Sequence, residues 1–370
     1  MVCPQCQGHA RFLGHRPKTF TTLNGDVAVE RAYYHCDGCH RGHFPFDQAN
    51  HLQKDRLSRG LRPLVCLAGV LESFRDGADD ILRRFAGVRL SAAAVRDATQ
   101  QAGERLLRQQ RGGVIVRPKR LRPWDFRLEG GTATVGYLGV DAFSVPMQLP
   151  GGGKAASRML YLGRLYTPDK RRSLYLVDFD LDQLVGQMRQ AAIAYGFDQA
   201  AEVVTVSDAG NGLEEAIHRH FWDDLLCILD WYHALEHLHD CAEALYPAKD
   251  GKRQQWYREA ETVLWEQGGS GLQRWLASQE QPEDEVAKEG LRSLRGYVHN
   301  QGHRMDYPRY RERGWDIGSG PTEAGCKVTA ERLRDSGMRW REQGAERVGP
   351  LRALYMSGPD VWDAFWDLAT

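Results

Sequence analysis

Thr132-Ala-Thr-Val-Gly-Tyr-Leu-Gly-Val-Asp141 is rich in β-branched and apolar residues and closes on a carboxylate. Such side chains suit the pleated, half-buried surface of a sheet, so the run predicts a strand. Two more β-rich runs follow, Arg158–Tyr166 and Ser173–Asp178, spaced for a three-strand antiparallel meander. Asp182–Tyr195 has the apolar period of an amphipathic helix. Glu202–Ser207 (Glu-Val-Val-Thr-Val-Ser) is a short apolar strand that ends on Asp208. Gly212–Phe221 reads as a helix, and Leu225–Leu229 as another strand, ending on Asp230.

Three strands, a helix, then two strands separated by a helix is the order of an RNase H-like α/β sheet. A carboxylate just past a buried strand stands at the sheet edge, where sites in α/β folds collect. Asp141 and Asp208 are both expected there. Converging carboxylates bind Mg²⁺ or Mn²⁺, because hard cations take oxygen ligands. Two such ions about 4 Å apart can activate a nucleophile and stabilise a leaving oxygen in phosphoryl displacement.

Working downstream, Tyr232–Leu245, Lys252–Gln267, Leu272–Gln279 and Glu285–Asn300 predict an all-helical block. Trp231, Trp256, Trp265 and Trp275 are read as its core. Gly314-Trp-Asp-Ile-Gly-Ser-Gly-Pro-Thr-Glu323 then leads into the helix Ala324–Arg334. Ser319 or Thr322 can cap that helix, with Glu323 in its first turn. This sets a third carboxylate on a rigid element.

Working upstream, Cys3-Pro-Gln-Cys6 and Cys36-Asp-Gly-Cys39 are two CxxC knuckles. Two thiolates per tight turn, twice over, close a tetrahedral site that suits structural Zn²⁺. Thr19–Thr22 and Asp26–Tyr34, joined around Asn24-Gly25, supply a ribbon hairpin. His35, His40 and His43 crowd the second knuckle; one could replace a thiolate, but each is expected on the surface. Leu57–Glu72 is an apolar-periodic helix. Asp79–Phe85, a break at Gly87, and Ala92–Gln110 capped by Ser91 have the pattern of a helix-turn-helix. Arg117-Pro-Lys-Arg-Leu-Arg-Pro123 is a basic linker suited to phosphate contact.

The chain has 370 residues, with 49 Lys+Arg against 49 Asp+Glu. The zero hides an asymmetry: residues 1–125 hold 21 basic against 12 acidic residues, and residues 126–370 hold 28 against 37. A basic third beside an acidic remainder points towards nucleic acid. At 42% hydrophobic and 26% charged the composition is that of a folded globular chain. No run of about 18 apolar residues is present, which argues against a membrane span and a membrane partner. The start lacks the charged and apolar regions of a secretory signal. The eight cysteines are therefore read in a reducing cytoplasm, where metal binding is favoured over disulfides.

Three blocks carry a family resemblance: Ile228-Leu-Asp-Trp-Tyr-His-Ala-Leu-Glu-His-Leu238, Gly318-Ser-Gly-Pro-Thr-Glu-Ala-Gly-Cys-Lys327 and Arg332-Leu-Arg-Asp-Ser-Gly-Met-Arg-Trp340. Together they resemble the ISKra-type insertion-sequence transposases of the DDE group, over nearly the whole chain. The resemblance implies an RNase H-like catalytic core whose three acids are Asp141, Asp208 and Glu323. It also implies that Asp230 and His233 form an Asp-x-x-His signature that handles DNA beside the cut or braces the site without ligating metal. Asp335 stands where the family often has Gly, and Ala209-Gly210 where it often has Gly-Ala. The start, two residues before Cys3, is expected to lack an N-terminal extension that related proteins have.

The expected organisation is a zinc ribbon (1–50), a helical DNA-binding region with basic linker (51–125), the first part of the core (126–230), an all-helical insertion (231–315), and the Glu-bearing helix with C-terminal helices (316–370). Arg96, Arg117, Lys119, Arg120, Arg122 and Arg339 are the expected contacts to double-stranded DNA. The expected activity is binding of element ends, cleavage, and transfer of 3′-hydroxyls to target DNA with two Mg²⁺ (or Mn²⁺), by a homodimer or higher oligomer at the bacterial nucleoid. The alternatives are a non-catalytic DNA-binding repressor and an RNase H-like structure-specific nuclease.

Overall fold

A computed structural model describes residues 1–50, 52, 56–148, 156–208, 210, 212–221, 225–248, 251–335 and 337–367. Among the described residues the chain is mixed α/β, with two sheets and many helices.

The first sheet is a ribbon of β1 (Ala10–Thr22), β2 (Gly25–Cys36) and β3 (Arg41–His43), all antiparallel. The hairpin is longer than its β-branched residues suggested, because Arg11–Arg16 and His35–Cys36 continue the ladder into the knuckles. A short helix α1 (Pro45–Ala49) follows.

Helix α2 (Arg62–Leu71) begins later than the apolar period implied, since Pro63 sets its first turn. A turn α3 (Phe74–Asp76) runs into a π-helical segment (Gly77–Phe85), and α4 (Ala92–Arg111) starts where Ser91 Oγ accepts the Ala94 amide. α4 is not free along its length. Val95, Ala98, Ala102 and Leu106 are buried in one cluster with α2 and the C-terminal Leu351 and Leu354. One exposed flank remains, bearing Ala93, Arg96, Asp97, Gln101, Arg108 and Arg111.

The second sheet is built from β4 (Val135–Met147), β5 (Ala156–Tyr166), β6 (Ser173–Asp178), β7 (Glu202–Ser207) and β8 (Leu226–Leu229), in the order β6-β5-β4-β7-β8. The expected meander β4–β5–β6 is present and antiparallel; β7 and β8 add in parallel to β4. Helix α5 (Leu181–Ala194), capped by Asp180, makes the crossover to β7. Alternation sorts β4 into two faces. Leu138 and Val140 join the cluster of α5; Phe143, Val145 and Met147 join a cluster with the helix that carries Cys326, Ala330 and Leu333.

Helix α6 (Leu213–His220) precedes β8. Beyond β8 come α7 (Trp231–Leu245), α8 (Gly251–Ser278), α9 (Glu285–Gln301) and α10 (Tyr307–Glu312). α8 covers both helices expected there, with a break at Gly268, whose φ of +65° a side chain disfavours. Trp231 and Trp256 are in the core of this block, but Trp265 is 38% exposed under the Arg311 guanidinium. The chain returns to the sheet through α11 (Gly320–Arg334), α12 (Glu342–Met356) and α13 (Pro359–Asp367). No helix among the described residues is long and apolar enough to cross a membrane.

Candidate functional site: a row of carboxylates and a cysteine cluster

Sheet register sets the acids in line. β4 and β7 are paired in parallel as far as Leu138 opposite Thr205. Carried three residues further, the same offset sets Asp141 level with Asp208. β7 and β8 are paired as far as Ser207 opposite Leu229, so the next level is Asp208 and Asp230. Alternation gives these positions the parity of Tyr137, Val204 and Ile228, the face covered by the helical block. Asp141 itself does not end its strand: β4 runs on to Met147, paired with β5 throughout. The β7 pairing stops three residues before it, at Leu138, so on that side Asp141 is past the paired part of the sheet.

Glu323 reaches this row on α11. The helix approaches β4 closely, because a Cβ on Gly139 would fall 1.9 Å from Thr322 Oγ1. α11 starts at Gly320, earlier than expected, and neither Ser319 nor Thr322 caps it with its side chain. Thr322 is buried against β4, and Ser319 Oγ donates instead to Glu323 Oε1 at 2.7 Å. Glu323 is exposed.

Burial raises the Asp141 carboxyl above its usual range. The charges of Asp208 and Glu323 push the same way, against the Ala142 amide and the Cys326 thiol, which hydrogen-bond to it. Asp141 thus feels the charge of both other acids. Among the described residues they do not form a set with all ligand atoms within 4.8 Å of one another.

Asp230 is 2% exposed and both its oxygens are taken. Oδ1 accepts the His233 amide at 2.7 Å, capping α7, and Oδ2 accepts the Ser319 amide at the start of α11. It holds two helix N-termini together and has no oxygen free of a backbone donor. The His233 side chain points elsewhere, with Nδ1 3.3 Å from Glu236 and its ring beside His237.

Two buried arginines were not foreseen. Arg304 donates to Ser207 Oγ at 3.1 Å and to the Asp208 carbonyl at 3.3 Å, fixing the end of β7. Arg164 donates to the Pro321 carbonyl and to Ser173 Oγ, fixing the start of α11. Each lies outside any local motif, so only the fold reveals it.

The expected DNA contacts fall into two groups. Arg96 and Arg339 line one cavity of about 820 Å³ with Arg341, Gln100, Gln148 and Trp340, although Arg96 also bonds Asp97 at 2.9 Å. Lys119, Arg120 and Arg122 line another, about 900 Å³, with Arg171 and Arg172 and the acids Asp360, Asp363 and Asp367. Arg117 is apart from both and donates to the Ala194 carbonyl at 3.4 Å.

In the ribbon, Cys3, Cys6, Cys36 and Cys39 converge, with Sγ atoms 3.6 Å apart for Cys3–Cys39 and 3.5 Å for Cys6–Cys36. The cluster could bind zinc. The residue after each knuckle, Gln7 and His40, has positive φ (63° and 54°), so the two turns are built alike. Burial raises the Cys39 thiol to about 12, with Cys3 adding to it. His43 is not a surface residue. β3 turns it inward, 7% exposed, with Nε2 3.1 Å from Cys3 Sγ.

Ala209 and Asn211, beside Asp208, and Ser336, beside Asp335, lie outside the described residues. No curated protein matches the chain. A family description, "Uncharacterised protein family (UPF0236)", matches residues 9–368. With nearly its whole length matched, the chain belongs to the uncharacterised protein family UPF0236.

Proposed function

We propose that the chain is a DNA transposase of the ISKra type within the DDE group, working on an RNase H-like core. The observation that carries this reading is the β4–β7 register, which, extended three residues past Leu138 opposite Thr205, sets Asp141 level with Asp208, together with the charge of Glu323 felt at Asp141. Strand order supports it as well: an antiparallel meander followed by two parallel strands.

Asp141, Asp208 and Glu323 would hold two Mg²⁺ (or Mn²⁺). All three offer hard oxygen donors, and burial above all, with the charges of Asp208 and Glu323 adding to it, raises the Asp141 carboxyl, a cost that a bound cation would relieve. Bound there, the ions supply charge stabilisation for in-line phosphodiester displacement, first by water and then by the freed 3′-hydroxyl.

The protein's own groups do the positioning. Asp230 and Arg164 fix the start of α11 and so the place of Glu323. Arg304 fixes the end of β7 and so that of Asp208. The cavity of Arg96, Arg339 and Arg341 takes DNA phosphates. It lies at the far end of β4, where Met147 bridges to Trp340. At about 3.3 Å per residue this is roughly 20 Å along the strand from Asp141. Element ends and target DNA are the partners, a homodimer or higher oligomer pairs two ends, and the bacterial nucleoid is the place of action.

The test is a strand-transfer reaction with purified protein, Mg²⁺ and duplexes copied from the DNA flanking the gene. Joining of a 3′-end to a second DNA supports the proposal. Hydrolysis without joining makes the protein a structure-specific nuclease, and binding without cleavage makes it a repressor; either overturns the proposal.

A further inference from the structure

Away from the acid row, α6 presents Glu214 and His218 four residues apart, hence on one helix face. β8 sets Cys227 beside them, so that a ligand atom of each lies within 4.8 Å of the other two. His218 Nε2 is 3.6 Å from Glu214 Oε1. That is close to the edge of a tetrahedron with bonds of about 2.0–2.3 Å, the range for zinc. His303, at the end of the helical block, brings Nε2 to 2.8 Å from the same oxygen, a hydrogen bond that holds the carboxylate from outside the set. A thiol, an imidazole and a carboxylate are ligand types zinc takes.

The surroundings suit a neutral complex. Metal entry displaces the Cys227 proton to solvent as the Zn–S bond forms. One carboxylate and one thiolate then balance Zn²⁺. Arg304, 3.9 Å from Glu214 Oε2, keeps its bonds to Gln301, Ser207 and the Asp208 carbonyl.

We propose that Glu214, His218 and Cys227 form a second zinc site that ties α6 to β8, with His303 at the end of the helical block hydrogen-bonded to the Glu214 carboxylate. Because His303 adjoins Arg304, which holds the Asp208 carbonyl, a loaded site fixes the strand end that carries Asp208. The proposal does not depend on the transposase reading.

Metal content of full-length protein, washed with a mild chelator, tests it. Wild type should hold two zinc ions per chain. Cys3→Ser/Cys36→Ser should hold one, and His218→Ala one. His218 is half-exposed, so its loss leaves the fold standing. In the Cys3→Ser/Cys36→Ser background, Co²⁺ should give a single-thiolate charge-transfer band that Cys227→Ser removes. One zinc per chain in wild type, an unchanged count of two in His218→Ala, or a Co²⁺ band insensitive to Cys227→Ser would each overturn the site.

Discussion

A Cβ on Gly139 would lie 1.9 Å from Thr322 Oγ1, so the strand that carries Asp141 and the helix that carries Glu323 meet with no room for a methyl group. Gly139 is two residues before the first acid and Thr322 one before the third. Gly139→Ala should therefore cost about 1–3 kcal/mol as an overpacked contact. It should also push α11 away and lower Mg²⁺-dependent cleavage while leaving DNA binding intact. Urea unfolding and a plasmid-nicking assay read the two effects. Unchanged stability would show that α11 yields without cost.

Asp230 ties α7 to α11 through two backbone amides. Loss of an N-cap costs about 0.5–2 kcal/mol, and a buried amide left without an acceptor about 1–3 more. Asp230→Ala should thus be destabilised by about 2–4 kcal/mol. Asp230→Asn, which keeps one acceptor oxygen, should fall between it and wild type. If Asp230 were a metal ligand instead, Asn would abolish Mg²⁺ binding at unchanged stability.

The raised Asp141 carboxyl has a definite sign. A group whose folded pKa lies above its unfolded value contributes stability below the unfolded pKa and loses it as pH rises through the folded one. At neutral pH, without cation, the ionised carboxylate therefore opposes folding. Asp141→Asn should melt higher than wild type at pH 7 in chelator, and the difference should vanish at acid pH. Added Mg²⁺ should stabilise wild type and leave the variant unmoved. Differential scanning fluorimetry across pH decides it.

DNA affinity should fall with salt in proportion to the phosphates contacted, with a slope near −0.9 per phosphate. Arg339→Ala and Arg341→Ala should each reduce the slope by about one. Removing a phosphate contact weakens binding to all sequences alike. Arg313→Ala, at an exposed arginine paired with Glu202 away from both cavities, should change neither affinity nor slope.

The sheet was legible because each of its strands is a short run of apolar and β-branched residues between turn residues. The period of two also fixes which residues share a face. Asp141 was expected at the end of its strand, and only the observed pairing shows that β7 stops while β4 continues. The start of α11 was misjudged at Gly320-Pro321, where Thr322 was needed for packing and not for capping. Arg304 and Arg164 were invisible because their partners lie 97 and 157 residues away. His43 was read as a surface residue, since nothing in its immediate sequence shows that a three-residue strand folds it onto Cys3. The charge asymmetry set Arg96 apart from the acidic remainder, whereas in the fold it shares a cavity with Arg339 and Arg341 from the far end of the chain. On the proposed function, the DNA surface extends beyond residues 1–125.

The roles of the three acids are decided by Mg²⁺-dependent cleavage of DNA bearing the gene's flanking sequences by wild type, Asp141→Asn, Asp208→Asn and Glu323→Gln, each with DNA binding checked in parallel. Wild type alone should cleave, with all four binding the DNA about equally. Near-normal cleavage by any one of the three variants would contradict those roles.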